Sequence, residues 1–133
     1  MAQLKLFFIS IVVVLILAAC VPTPVVRNET INELIIRNQT KSALEEVELR
    51  VPKTGKIVAC STVFPATECS LGFPEFEHQR NHATLSWLQR GQKYQRDIIT
   101  KIPEDLDMSK PAIVIITIQD NGQITSRLDS NRL

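Results

Sequence analysis

Four side chains in the middle of this chain have the types that do chemistry. Cys60, Cys69, His78 and His82 form the pattern C-x8-C-x8-H-x3-H. Two thiolates and two imidazoles can hold a zinc ion tetrahedrally, and the histidine spacing suits a helical or turn site. The cysteine spacing argues against it, because structural zinc sites usually set their first pair two to four residues apart. The same pair can close a disulfide and leave two loop histidines, or serve as a redox-active pair. A cysteine nucleophile beside His78 or His82 would need a held base and an oxyanion hole, and no motif supplies either. The carboxylate pairs Glu45/Glu46, Glu75/Glu77 and Asp105/Asp107 sit in polar segments and read as solvated surface. With only four glycines in the chain, no phosphate-cradling loop is present. The expectation is a non-catalytic protein without a cofactor.

Aromatic residues offer a second kind of chemistry, that of contact. Trp87 and Tyr94 could form a platform for a glycan or a peptide. Trp87 alternates in phase with Ala83 and Leu85, however, which is the pattern of core packing. In Leu71-Gly72-Phe73-Pro74-Glu75-Phe76, an exposed Phe76 beside Pro74 would suit a protein partner. The alternative is a loop that plugs the end of the domain. Phe73, Phe76, Trp87 and Tyr94 are thus the candidate contact residues.

The elements that must position these groups are short strands. Ile31–Arg37 is the first, with Leu34, Ile35 and Ile36 as its apolar centre. The segment 42–51 carries two patterns. Ser42-Ala43-Leu44-Glu45 has the form of a helix capping box, and Leu44, Val47 and Val51 fit helical spacing. Val47, Leu49 and Val51 also alternate with Glu46, Glu48 and Arg50, and this favours a strand over 44–51. Lys56–Val63 and Thr67–Phe73 follow, then a polar loop over 74–81. A fifth strand carries Ala83, Leu85 and Trp87, and a sixth runs over Gln92–Ile102 after an Arg90-Gly91 turn. Ala112–Gln119 is apolar on both faces and should be central. Asp120-Asn121-Gly122-Gln123 then predicts a type I′ hairpin into Ile124–Leu128.

Seven or eight short strands with regular turns predict an immunoglobulin-like antiparallel β-sandwich, with a small antiparallel β-barrel as the alternative. A true immunoglobulin domain places its tryptophan between its two cysteines, whereas Trp87 follows both. The cysteine pair is expected to staple two neighbouring strands rather than the two sheets.

Residues 6–19 (LFFISIVVVLILAA) carry no charge. A helix of that length spans only about 21 Å, short of the ~30 Å hydrocarbon core, so the run reads as the apolar part of a signal peptide. It ends in Leu17-Ala18-Ala19-Cys20. This resembles the lipobox of bacterial lipoproteins: an aliphatic residue, two small residues and cysteine. The resemblance covers residues 1–20. It implies cleavage before Cys20, a diacylglycerol on its sulfur and an acyl chain on its amino group. Two or three chains anchor stably where a single one binds marginally. Val21, in place of an aspartate, implies sorting to the outer membrane. The domain is separately expected to face the periplasm. A further reading keeps the segment as an uncleaved anchor, and another makes Cys20 incidental to an ordinary signal.

The expected organisation is a signal peptide over 1–19, a lipidated cysteine and tether over 20–30, a β-sandwich over 31–128 and a polar tail over 129–133. Ten tether residues, Val21–Thr30, reach at most ~35 Å and hold the domain near the membrane. An exported compartment is oxidising, which favours a Cys60–Cys69 disulfide. Without Lys5, the chain has 14 basic and 14 acidic residues, which gives no footprint for nucleic acid. Asn28-Glu29-Thr30 and Asn38-Gln39-Thr40 match the N-glycosylation pattern but are discounted for a bacterial host. The expected partners are the membrane, through lipid on Cys20, and another envelope protein.

Overall fold

In a computed structural model of the chain, the structure describes residues 29–130. The apolar run, Cys20 and most of the tether lie outside the described residues. Eight strands form two four-stranded sheets: β1 (Thr30–Gln39), β2 (Leu44–Val51), β3 (Lys56–Val63), β4 (Glu68–Glu77), β5 (Ala83–Gln89), β6 (Gln92–Ile98), β7 (Ala112–Gln119) and β8 (Ile124–Asp129). The first sheet has the order β4-β1-β7-β8 and the second β3-β2-β5-β6.

The sheets form a sandwich and do not close into a barrel. In immunoglobulin domains strand B lies beside E, and C, F and G run together in the other sheet. Strands β1 and β4, and β2, β5 and β6, stand in those same relations. The departure is β7. It flanks β1 on the free side and runs parallel to it, so the pairings between the eight strands are antiparallel except at this one.

The core follows from period-two burial. Leu34 and Ile36 of β1 face inward with Val114, Ile116 and Ile118 of β7. Leu44, Val47 and Leu49 of β2 meet them from the opposite sheet, with Leu85 and Trp87 of β5. The other face of β1 and β7 is apolar too: Ile35, Ile113 and Ile115 form a second buried cluster. This places β7 in the interior of its sheet, as its doubly apolar sequence predicts.

Bulges explain the segments whose sequence patterns mix. Across β2 and β5 the register shifts between Glu45 and Glu48, and Glu46 adopts φ 48°. One extra residue reverses the phase of the strand. Leu44 and Val47, three apart, therefore both face the core. That spacing is what imitates a helix. In β4, Phe73, Pro74 and Glu75 stand opposite the single residue Asn32. Pro74 is accommodated because β4 is an edge strand and the ladder is already broken there. The strand thus runs through to Glu77, where a loop was expected from Pro74. In contrast, β6 ends at Ile98, four residues short of the expected limit, and Ile99 is exposed.

The turns also differ in kind from expectation. Gln119 accepts a bond from the Gly122 amide and pairs with Gln123, so the β7–β8 loop has three residues. Among these only Gly122 has positive φ, at 74°, which makes a type I turn followed by a left-handed glycine. The type I′ hairpin occurs instead between β5 and β6, where Arg90 and Gly91 have φ 52° and 74°.

Candidate interaction surface

Cys60 lies on β3 and Cys69 on β4, with their sulfurs 2.08 Å apart, at disulfide distance. The two strands belong to different sheets. The link therefore ties sheet to sheet, which corrects the expectation of a staple between neighbouring strands of one sheet. The short connection Phe64–Thr67 passes from one sheet to the other, with the Thr67 amide donating to the Phe64 carbonyl oxygen. A pair nine apart in sequence can therefore span the layers.

Together β3 and β4 form one side of the sandwich, with the cysteine pair in its middle. At one end lie Phe73 and Phe76. On a regular strand, residues three apart point to opposite faces. The β4 bulge turns both rings to the same side, where their centroids lie 5.1 Å apart. Both are half-buried and pack on the edge of the core. Lys56 of β3 covers the Phe76 ring with its ammonium 3.6 Å from the centroid. Phe76 is thus not the freely exposed aromatic that would suit a partner best. The exposed apolar groups of this side are Ile57, at 49 %, and Phe64, at 64 %. Neither stands out in the sequence, because each follows a strand pattern whose outward face only the sheet arrangement reveals.

Trp87 and Tyr94 are cross-strand partners on β5 and β6, stacked at 5.4 Å with 14° between planes. Trp87 is 1 % exposed. Its ring is a wall of the core and offers no face to a glycan or peptide, which corrects the platform reading.

The two histidines have separate surroundings. His82 faces Asp97 at 3.3 Å on the exposed side of the β5–β6 hairpin. His78 follows β4, and its amide donates to the Glu29 carbonyl oxygen at 2.7 Å. Burial lowers the His78 pKa from its ordinary value; the Glu29 carboxylate opposes this and the Arg80 guanidinium adds to it. Arg80 also donates to Glu29 Oε1 at 2.8 Å. Among the described residues, Glu29 Oε2 and His78 Nδ1 are buried without a hydrogen-bond partner. With both sulfurs joined, Cys60 and Cys69 supply no thiolates. No group of three or more His, Cys, Asp or Glu among the described residues could hold a metal ion. The zinc pattern C-x8-C-x8-H-x3-H is therefore not assembled in the fold.

The crossover from β1 to β2 is a polar corner. Asn38, 1 % exposed, donates through Nδ2 to the carbonyl oxygens of Ser42 and Val63, at 2.9 and 2.8 Å. Its Oδ1 accepts from the Thr40 amide at 2.8 Å. An asparagine held in this way has no amide free for a glycan. The Asn38 motif is thus a structural corner.

No protein-family model matches the chain, and no curated protein does. Among solved structures it is similar to one described as the NMR structure of the protein from Eubacterium rectale, at 12 % identity and a TM-score of 0.44, covering 79 % of this chain and 93 % of that one.

Proposed function

We propose that this chain is a cell-envelope lipoprotein, anchored through lipid on Cys20, whose β-sandwich binds or scaffolds another envelope protein. Cysteine usage carries the reading. The chain has three cysteines. Cys60 and Cys69 are at disulfide distance from each other. This leaves Cys20, which the lipobox resemblance makes the first residue of the mature chain. One arrangement accounts for all three: an oxidised pair in an exported domain and an acylated thiol at its root. The tether then delivers the domain at Glu29, beside the His78–Arg80 corner. Its short reach favours a partner in or near the same membrane. Val21 after the acylated cysteine favours the outer membrane.

The test is the intact mass of the membrane-extracted protein, alkylated with and without prior reduction. The expected species is residues 20–133 plus acyl chains, with two thiols alkylated only after reduction. An unacylated chain, or one retaining residues 1–19, would remove the lipoprotein reading. Alkylation of Cys60 and Cys69 before reduction would remove the oxidised pair.

A further inference from the structure

The outward side chains of a two-sheet sandwich are normally polar, because nothing covers them. The sheet β4-β1-β7-β8 departs from this at its centre. Its strand registers set the outward side chains in rows. One row holds Gly72, Glu33, Ile113 and Asp129, and the next Ser70, Ile35, Ile115 and Arg127. Ile35, Ile113 and Ile115 thus form an apolar stripe on the face turned away from the main core. They are nevertheless sealed, at 1 %, 7 % and 2 % exposure. Among the described residues, none of the eight strands crosses this face. The one long connection, residues 99–111, packs Ile102 and Leu106 against the main core instead. The neighbouring arginines are held at the margins, Arg37 by Glu68 and Arg127 by Asp129. The polar groups beside the stripe are occupied as well. Glu33, Ser70 and Asp129 each hold an interaction beyond the Glu33–Ser70 and Arg127–Asp129 contacts.

We infer that this stripe is the seat of the chain's own tether: residues 21–28 turn back from Glu29 and cover Ile113, Ile115 and Ile35. Glu29 directly precedes β1, the strand that carries Ile35, so the segment starts at the near end of the stripe. Ile35 lies five residues beyond Thr30, about 17 Å along the strand. Residues 21–28 span about 26 Å when extended, enough to turn and reach it. The composition matches the seat. Val21–Val26 (VPTPVV) is uncharged and holds three valines, whereas a flexible spacer that stays in water is rich in glycine and serine. Pro22 and Pro24 have no amide to leave unpaired when covered. On the lipoprotein reading, which the orientation of the domain requires, a seated tether leaves no free leash. Cys20 then lies beside this sheet, and its acyl chains hold the sheet against the bilayer. The domain rests with β4-β1-β7-β8 toward the lipid and presents the outer face of β3-β2-β5-β6 to its partner protein.

The test uses the full chain extracted in mild detergent, with a photo-crosslinking residue in place of Val25. The expected product is a crosslink within one chain, to the peptide that carries Ile35 or to the one that carries Ile113 and Ile115. A crosslink to a second copy, to a different protein or to another part of the domain overturns the seating. Intact mass of the same sample shows whether the chain begins at an acylated Cys20, so a missing lipid and an unseated tether are told apart. Val25→Ser with Val26→Ser should lower the urea midpoint, and the shift should largely vanish when Ile113→Ala and Ile115→Ala are already present. Equal shifts in the two backgrounds, or none in the first, overturn the seating too. For the orientation, Thr125 on the tether face and Gln95 on the opposite sheet, both exposed, carry the crosslinker in turn. In vesicles of phosphatidylethanolamine and phosphatidylglycerol, lipid adducts should form from position 125 and not from position 95. Equal labelling, or the reverse, overturns the orientation.

Discussion

Asn38 of the first sheet donates from Nδ2 to the Val63 carbonyl oxygen of the second at 2.8 Å, a hydrogen bond between the two layers of the sandwich. The same amide holds Ser42, and its oxygen holds Thr40, so one buried side chain closes three backbone groups. Leaving a buried donor or acceptor unpaired costs about 1–3 kcal/mol, so removing Asn38 does more harm than the loss of its own bonds suggests. Asn38→Leu should lower the stability of the domain by about 2–4 kcal/mol. Asn38→Asp should be comparably harmful near neutral pH, because a carboxylate cannot donate to two carbonyl oxygens. Urea unfolding checks both. A loss below about 1 kcal/mol for either would mean that water replaces the amide, and that the corner is not a sealed one.

The Cys60–Cys69 link is the covalent counterpart of that bond, joining the same two sheets through β3 and β4. A loop closed by residues nine apart is short. The chain-entropy model then gives a contribution of about 2–3 kcal/mol. Replacing both cysteines by alanine should lower the urea midpoint accordingly, and reductant should have no effect on that variant. In the wild type, reductant should reproduce the loss. If reductant changes nothing in the wild type, the pair does not act as a stabilising link.

Much of this arrangement is readable from period-two patterns. β3 runs over Lys56–Val63 and β7 over Ala112–Gln119, as their alternation and β-branched content predict. The segment 44–51 is harder, because the Glu46 bulge puts Leu44 and Val47 on one face and mimics a helical stripe. The sheet to which a strand belongs is not readable at all. Nothing local to Cys60 or Cys69 says that the Phe64–Thr67 turn crosses between layers, and that crossing decides what the disulfide joins. For the same reason the outward positions of Ile57 and Phe64 emerge only once β3 is known to be an edge. Trp87 shows the converse. Its phase with Ala83 and Leu85 already marks it as core.

That crossing turn has a residue out of place. Ala66 adopts φ 59° while its amide donates to the Asn38 carbonyl oxygen at 2.9 Å. The left-handed region costs an L-residue with a Cβ roughly 1–2 kcal/mol, and glycine avoids that cost. Glycine also has more freedom to lose from the unfolded chain, which offsets part of the gain. Ala66→Gly should therefore stabilise the domain by about 0.5–1 kcal/mol, and Ala66→Val should destabilise it by more than that. Thermal unfolding of the two variants in parallel reads the sign. A stabilising valine would show that the turn is not held in this conformation.

The His78 corner makes the domain sensitive to acid. Burial lowers the pKa of this imidazole below the ordinary 6.5, in spite of the Glu29 carboxylate, and Arg80 acts in the same direction as burial. A lowered folded-state pKa means that the unfolded chain takes up the proton first. The contribution of neutral His78 is therefore complete above about pH 6.5. It is lost as the pH falls from there through the folded-state pKa. His82, beside Asp97 on the surface, sits in a different environment. Imidazole resonances followed by NMR should show His78 titrating below 6.5 in the folded protein, and His78→Gln should flatten the fall in stability on acidification through this range. A His78 midpoint above 6.5 would reverse the sign: the Glu29 carboxylate would outweigh burial, and mild acid would strengthen the root of the domain where the tether joins it.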